Sequence, residues 1–235
     1  MPNNVLDELA NTTDPGARVG AASARGVRDL ALDVLRAVCA RPAGPPAVRH
    51  PLGFVCVPLH RGPDAGLCLH MWPPGAAADR ADTTTSQMHA HSWDLLSWVV
   101  CGRLGNRIIA VRDEPDHPTH RLFRVVSGQS GADELRATGR LVACVPGEEE
   151  WTSAGRPYEI PAGAFHTTSS PRHRSAASIV LARTRPGAAD LSLGRIGLAT
   201  HRVDRRGSPA GETIGIARAV LDQMLREPPA AEVTV

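Results

Sequence analysis

The stretch from Met88 to Gly102 reads Met-His-Ala-His-Ser-Trp-Asp-Leu-Leu-Ser-Trp-Val-Val-Cys-Gly, placing His89 and His91 at the head of an apolar, β-branched run. In a strand, residues i and i+2 face the same side. Two imidazoles on one face, followed by Leu, Trp and Val, read as half of a metal site on the inner wall of a β-sheet. Read alone, each histidine fits equally well as a hydrogen-bonded core or surface residue. A second stretch adds weight: Gly155-Arg-Pro-Tyr-Glu-Ile-Pro161-Ala-Gly163-Ala-Phe-His166 reads as a strand, a Pro-x-Gly turn and a histidine where the next strand starts.

The remainder of the chain suits a sheet protein. Its 235 residues make one domain with extensions, or at most two small ones, and are enough to bury a core. Twenty prolines and 22 glycines separating short apolar runs favour strands and turns over a helical bundle. All 26 basic residues are arginine, so no Schiff-base lysine, pyridoxal attachment or Walker-type loop can form. The formal charge is +2 with acids interspersed, which leaves no basic stripe for nucleic acid. The five cysteines, Cys39, Cys56, Cys68, Cys101 and Cys144, are odd in number and mostly within apolar runs, as expected of reduced thiols in a cytoplasmic protein. The amino-terminal residues show no export signal, and no apolar run is long enough to span a membrane.

In chain order, residues 1–23 read as a flexible arm, and 24–49 as a helix and linker. Val27, Leu30, Leu32, Val34, Leu35 and Val38 recur at helical spacing until Arg41-Pro-Ala-Gly-Pro-Pro breaks the pattern. Residues 50–185 read as the β core, and 186–235 as an extension with a second amphipathic helix at Ile214–Leu225. Gly53–Leu59 and Leu67–Trp72 form a hairpin, with Leu67, Leu69 and Met71 on one face and Cys68, His70 and Trp72 on the other. Further strands are expected at Arg107–Arg112, Arg121–Val126, Leu141–Val145 and Ala177–Arg183, with Pro-Gly-Glu-Glu-Glu after Val145 as a turn. No internal repeat of solenoid length is present.

These two stretches resemble the cupin family, whose motifs are G-x5-H-x-H-x3,4-E-x6-G and G-x5-P-x-G-x2-H-x3-N. Gly155, Pro161, Gly163 and His166 match the second motif, with Ser170 in place of its final Asn. His89, His91 and Gly102 match the first, but Leu95 occupies the glutamate position and Thr83 that of the opening glycine. The resemblance implies an all-β core, the cupin double-stranded β-helix or jelly-roll barrel, with N- and C-terminal α-helices. It also implies a metal set of His89, His91 and His166, without a carboxylate. Asp94 stands one residue from the glutamate position, where strand alternation turns it to the opposite face.

Three neutral imidazoles leave a divalent ion its full charge and open positions, which favours an anionic substrate donor. Three-histidine cupins include thiol dioxygenases and diketone-cleaving dioxygenases, so the resemblance implies a mononuclear non-haem oxidoreductase, an Fe(II) and O2 dioxygenase of a small anionic or chelating metabolite. The thiol dioxygenases' crosslinking cysteine would fall at Leu96, and their Ser-His-Tyr relay near Ile179–Arg183; neither stands there. Cysteine oxidation is therefore not carried over. The other reading is a non-redox metal cupin: an isomerase, a lyase or a small-molecule-binding protein. Imidazole ligation is equally compatible with Zn, Ni, Mn or Cu. Tyr158, the only tyrosine, is the candidate catalytic hydrogen-bond donor, against ordinary strand packing. Trp93, His70, Arg103 and Arg107 are the substrate-binding candidates, each also explained by packing or a solvated strand end. The expected partners are a small-molecule substrate and O2, with no nucleic acid and no membrane, in a cytoplasmic homodimer.

Overall fold

The computed structural model describes residues 23–75, 84–128, 132–204 and 206–227. The amino-terminal arm before Ser23 and the Thr83 position lie outside them. Helix α1, Ala24–Ala40, begins where Ser23 Oγ accepts a hydrogen bond from Gly26 N at 3.2 Å. The strands β1 (Val48–Arg49), β2 (Val55–Arg61) and β3 (Ala65–Trp72) follow, then β4 (His89–Ala90) and β5 (Trp93–Cys101). Next come β6 (Arg103–Asp113), β7 (His120–Ser127), β8 (Ala132–Ser153), β9 (Pro157–Ile160) and β10 (His166–Ser169). The chain ends with β11 (Ala176–Thr184), β12 (Leu191–Gly194), β13 (His201–Asp204) and helix α2 (Ala210–Arg226).

The strands form two antiparallel sheets. The first runs β1-β2-β3-β11-β5-β9 and the second β13-β8-β6-β10-β4-β12-β7, with β8 also pairing with β7 and so drawing the second sheet round on itself. This is a jelly-roll barrel with a helix at each end of the described chain. Alternation in β2 and β3 decides how the first sheet is used. Val55, Val57, Leu59, Leu67, Leu69 and Met71 are buried on its outer face, where α1 and α2 cover them with Val34, Leu35, Val38, Val220 and Met224. This is the main apolar core, and it lies outside the barrel. Arg28, on α1, donates to the carbonyls of Met224 and Glu227 and so ties the two helices together. Among the described residues, no helix is long and apolar enough to cross a membrane.

Two details differ from the sequence expectation. The run from Met88 to Gly102 is not one strand: β4 belongs to the second sheet and β5 to the first, so the chain crosses between them at His91-Ser92. The Pro-Gly-Glu-Glu-Glu segment is not a turn but lies within β8, where Glu149 pairs with Arg107 and Glu150 with Asn106. A register shift beside Ile108, close to Gly147, absorbs the proline, and Glu148 and Glu150 are exposed while Glu149, on the other face, is half-buried. Cys101 belongs to the core, as a thiol at the end of the apolar run would, and packs against α2 with Sγ 4.0 Å from Val220 O although it shares the odd parity of His89 and His91. The cause is a bulge, since Ala177 pairs with Cys101 but Ser178 pairs with Val99.

Candidate metal centre

His89 and His166 stand directly opposite each other on the β4–β10 pair, and residues in that relation point to the same side of a sheet. Their ring centroids are 4.3 Å apart. His91, in the crossover to β5, closes the triangle at 4.7 Å from His89 and 5.2 Å from His166. The ligand atoms of all three lie within 4.8 Å of one another.

The backbone orients these rings. His89 Nδ1 donates to Gln87 O at 2.8 Å, and His166 Nδ1 donates to Ala164 O at 3.1 Å. A carbonyl can only accept, so each Nδ1 carries the proton and each Nε2 keeps its lone pair. Backbone carbonyls play this orienting role for metal-bound imidazoles generally. His91 is held differently, by stacking on Trp93 with centroids 3.9 Å apart and planes 17° from parallel.

The crossover itself is pinned from several directions. Gly163 N donates to His91 O at 2.8 Å, so the Pro-x-Gly turn preceding His166 is bonded to the segment carrying His91. Gly163 has φ 78°, which a side chain would strain. Ser92 N donates to Asp190 Oδ1 at 2.7 Å. Asp94 accepts from Ala162 N at 2.9 Å and pairs with Arg185, and these bonds hold its carboxyl below its usual pKa. Asp94 is thus a clamp on the turn and not a fourth ligand. The glutamate position, Leu95, is buried against Ile160 and Val180. At the end of β5, Gly102 has φ 67°, and a Cβ there would lie 2.5 Å from Ser175 O. The closing glycine of the motif is therefore required by the close approach of another backbone segment.

Burial keeps the imidazoles neutral. It lowers the pKa of His89, lowers that of His91 well below the ordinary value, and with the nearby His89 brings His166 to about 3. A fourth histidine, His50, is depressed to about 3 by burial and then by His89 and His70. It stacks on Phe54 at 4.3 Å, and Phe54 in turn contacts His70 at 4.5 Å. His50 was missed in the sequence because it sits between two-residue β1 and β2, where no periodicity marks it.

The other candidates divide. Trp93 is brought to the site, and His70 faces the barrel interior together with Cys56 and Cys68. Tyr158 pairs with Ser97 on the same face; burial raises its pKa, and Ser97 and Asn106 beside its hydroxyl oppose part of that rise. Ser178 Oγ and Asn106 Nδ2 are buried without a hydrogen-bond partner. Ser97 was legible by alternation, two residues beyond Leu95. Arg103 and Arg107 are not brought to the site. Arg103 is exposed and lies over the Trp151 ring at 4.6 Å. Arg107 pairs with Thr167, between interior-facing His166 and Thr168, so alternation turns it outward.

This chain folds as a jelly-roll barrel with cupin-like motif spacing, and carries a three-histidine site within the barrel that can hold a divalent metal ion. No protein-family model matches the sequence, and no curated protein matches it. Several solved structures are similar at low levels. The lyase DddQ from Ruegeria pomeroyi DSS-3, which acts on DMSP, is 13% identical over 58% of this chain and 50% of its own, at TM-score 0.32. This chain therefore spans half the length of that lyase. The polyketide cyclase RemF from Streptomyces resistomycificus is 16% identical over 66% of this chain and 76% of its own, at TM-score 0.33. The hydroquinone 1,2-dioxygenase PnpCD, in complex with Cd2+ and 4-hydroxybenzonitrile, is 10% identical over 68% of this chain and 77% of its own, at TM-score 0.33. Likenesses of this size carry no argument about activity.

Proposed function

We propose that the protein is a mononuclear metal-dependent oxidoreductase, an Fe(II) and O2 dioxygenase of a small anionic or chelating metabolite. The observation that carries this reading is the ligand set: three imidazoles, two with Nδ1 committed to backbone carbonyls, and a leucine where cupins usually supply a carboxylate. His89, His91 and His166 would hold the ion through neutral nitrogens. The ion would supply a full double charge and open positions for substrate and oxygen.

The remaining steps fall to the protein. Trp93, stacked on His91, fixes that ring and presents an apolar wall. Tyr158 keeps its proton because burial raises its pKa, so it serves as a hydrogen-bond donor to a substrate oxygen. His50, kept neutral by burial, and His70, against Phe54, add further polar edges to the interior. Arg103 and Arg107 face outward, so neither balances a substrate charge there. The substrate is accordingly a small molecule that reaches the ion through its own anionic donor.

The test is oxygen uptake by anaerobically reconstituted Fe(II) protein, offered thiols, diketones and hydroxy acids. Uptake that depends on one of these and on Fe(II) is expected. Turnover of such compounds without oxygen uptake, supported equally by Zn(II), would replace the dioxygenase with an isomerase or lyase on the same histidines.

A further inference from the structure

We propose that Cys56, Cys68 and His70 form a second metal site in this barrel, taking a thiophilic d10 cation such as Zn(II) or Cu(I). All three residues belong to the β2–β3 hairpin of the first sheet, whereas His89 and His166 belong to the second. Cys56 lies directly opposite His70, and Cys68 opposite Pro58, so the donors occupy two successive rows of one face. That register cannot slip by one residue. Val55, Val57, Leu67, Leu69 and Met71 alternate with the donors and are buried under the helices, and a slip would exchange the two sets.

The three ligand atoms lie within 4.8 Å of one another. A tetrahedral ion with metal–sulfur bonds of about 2.3 Å requires sulfurs about 3.8 Å apart, a closure that side-chain rotation alone can supply. The groups lie close enough to influence one another: Cys56 and His70 beside Cys68 make it the more acidic thiol of the pair. Both sulfurs would bind as thiolates, and the thiol protons displaced by the cation would leave to solvent. All three side chains keep accessible surface although the barrel encloses them, so they line a cavity and not a packed core. Three ligands leave a fourth position open toward it.

The two donor sets also select different ions. Two sulfurs and one nitrogen suit soft d10 cations, while three imidazoles accept harder, redox-active ones. The remaining thiols, Cys39, Cys101 and Cys144, are not part of this cluster. The proposal is independent of what the histidine triad catalyses.

The test is a Co(II) titration of the reduced protein under anaerobic conditions, because Co(II) bound by thiolate gives a charge-transfer absorption that histidine-bound Co(II) lacks. The unaltered protein should take up two equivalents and develop that band, and two of its five thiols should become protected from alkylation. The band should persist in a His89→Ala, His166→Ala variant and vanish in a Cys56→Ser, Cys68→Ser variant. Should the cysteine variant fail to fold, His70→Ala decides: it should weaken Co(II) binding at the thiolate site by tenfold or more. A single equivalent with no charge-transfer band and unchanged thiol reactivity would overturn the proposal. So would a Cys56–Cys68 disulfide formed in air by a protein that, when reduced, takes up no second ion.

Discussion

The two faces of the first sheet are built from alternate residues of the same strands, yet they have opposite character. Outside, Leu67, Leu69, Met71, Ile179 and Leu181 are 0% exposed beneath the helices. Inside, the rows read Cys56–His70–Ser178–Val99 and Cys68–Val180–Ser97–Tyr158. An ordinary small barrel fills its interior with apolar side chains and draws its stability from them. Here α1 and α2 move much of the apolar core to the outside, which leaves the interior free for histidines, thiols and hydroxyls. The unsatisfied Ser178 hydroxyl is a cost of that division, carried on the face that binds and not on the face that folds.

If the division holds, substitutions on the two faces should separate folding from binding. The largest effect on stability is expected from Leu69→Ala on the outer face. It should cost about 2–5 kcal/mol in chemical denaturation while the folded variant keeps its metal affinity; an equal loss of metal affinity would break the comparison.

Acid sharpens the same contrast on the interior side. His50 ordinarily titrates near 6.5 but is depressed to about 3 in the fold. Between those values the unfolded chain binds a proton that the folded one refuses, so stability is full above 6.5 and falls as pH drops through the window. His50→Gln should remove about 2 kcal/mol of the loss between neutral pH and pH ~5, measured as urea midpoints at both pH values. An unchanged pH dependence would place His50 in water and outside the barrel.

A smaller effect is expected at the clamp. Asp94→Ala releases the turn before His166 and should weaken metal binding about tenfold, comparable to the loss of an orienting partner, with little change in stability because the residue lies at the surface. Titration of the apo protein with Fe(II) or Zn(II) reads this directly, and unaltered affinity would show that the turn needs no clamp. The smallest effect is expected for Ser178→Ala, which removes a buried hydroxyl without a partner and should change stability by no more than about 0.5 kcal/mol, by thermal or chemical denaturation. A large loss would reveal a bond that the rows above do not contain.

Much of this division was legible in the sequence. The alternation Leu67-Cys68-Leu69-His70-Met71 separates the faces before any coordinates, because a strand side chain can point only one of two ways. The motif spacing brought His89, His91 and His166 together because its glycines and proline encode turns of fixed geometry. What escaped notice depended on irregular backbone. The crossing between sheets at His91-Ser92 leaves no mark in an unbroken apolar run. The acidic run in β8 resembles a turn because composition reports exposure, and an exposed strand face and a loop are exposed alike. His50 joins the interior only through chain reversal at a turn, which periodicity does not register.

The central claim is that the interior histidines hold a metal ion, and metal content tests it most directly. Protein purified without oxygen and reconstituted with Fe(II) should carry close to one iron per chain in unaltered form and almost none as the His89→Ala, His166→Ala variant, measured by elemental mass spectrometry. Equal iron in both proteins, or none in either after reconstitution, would contradict the account.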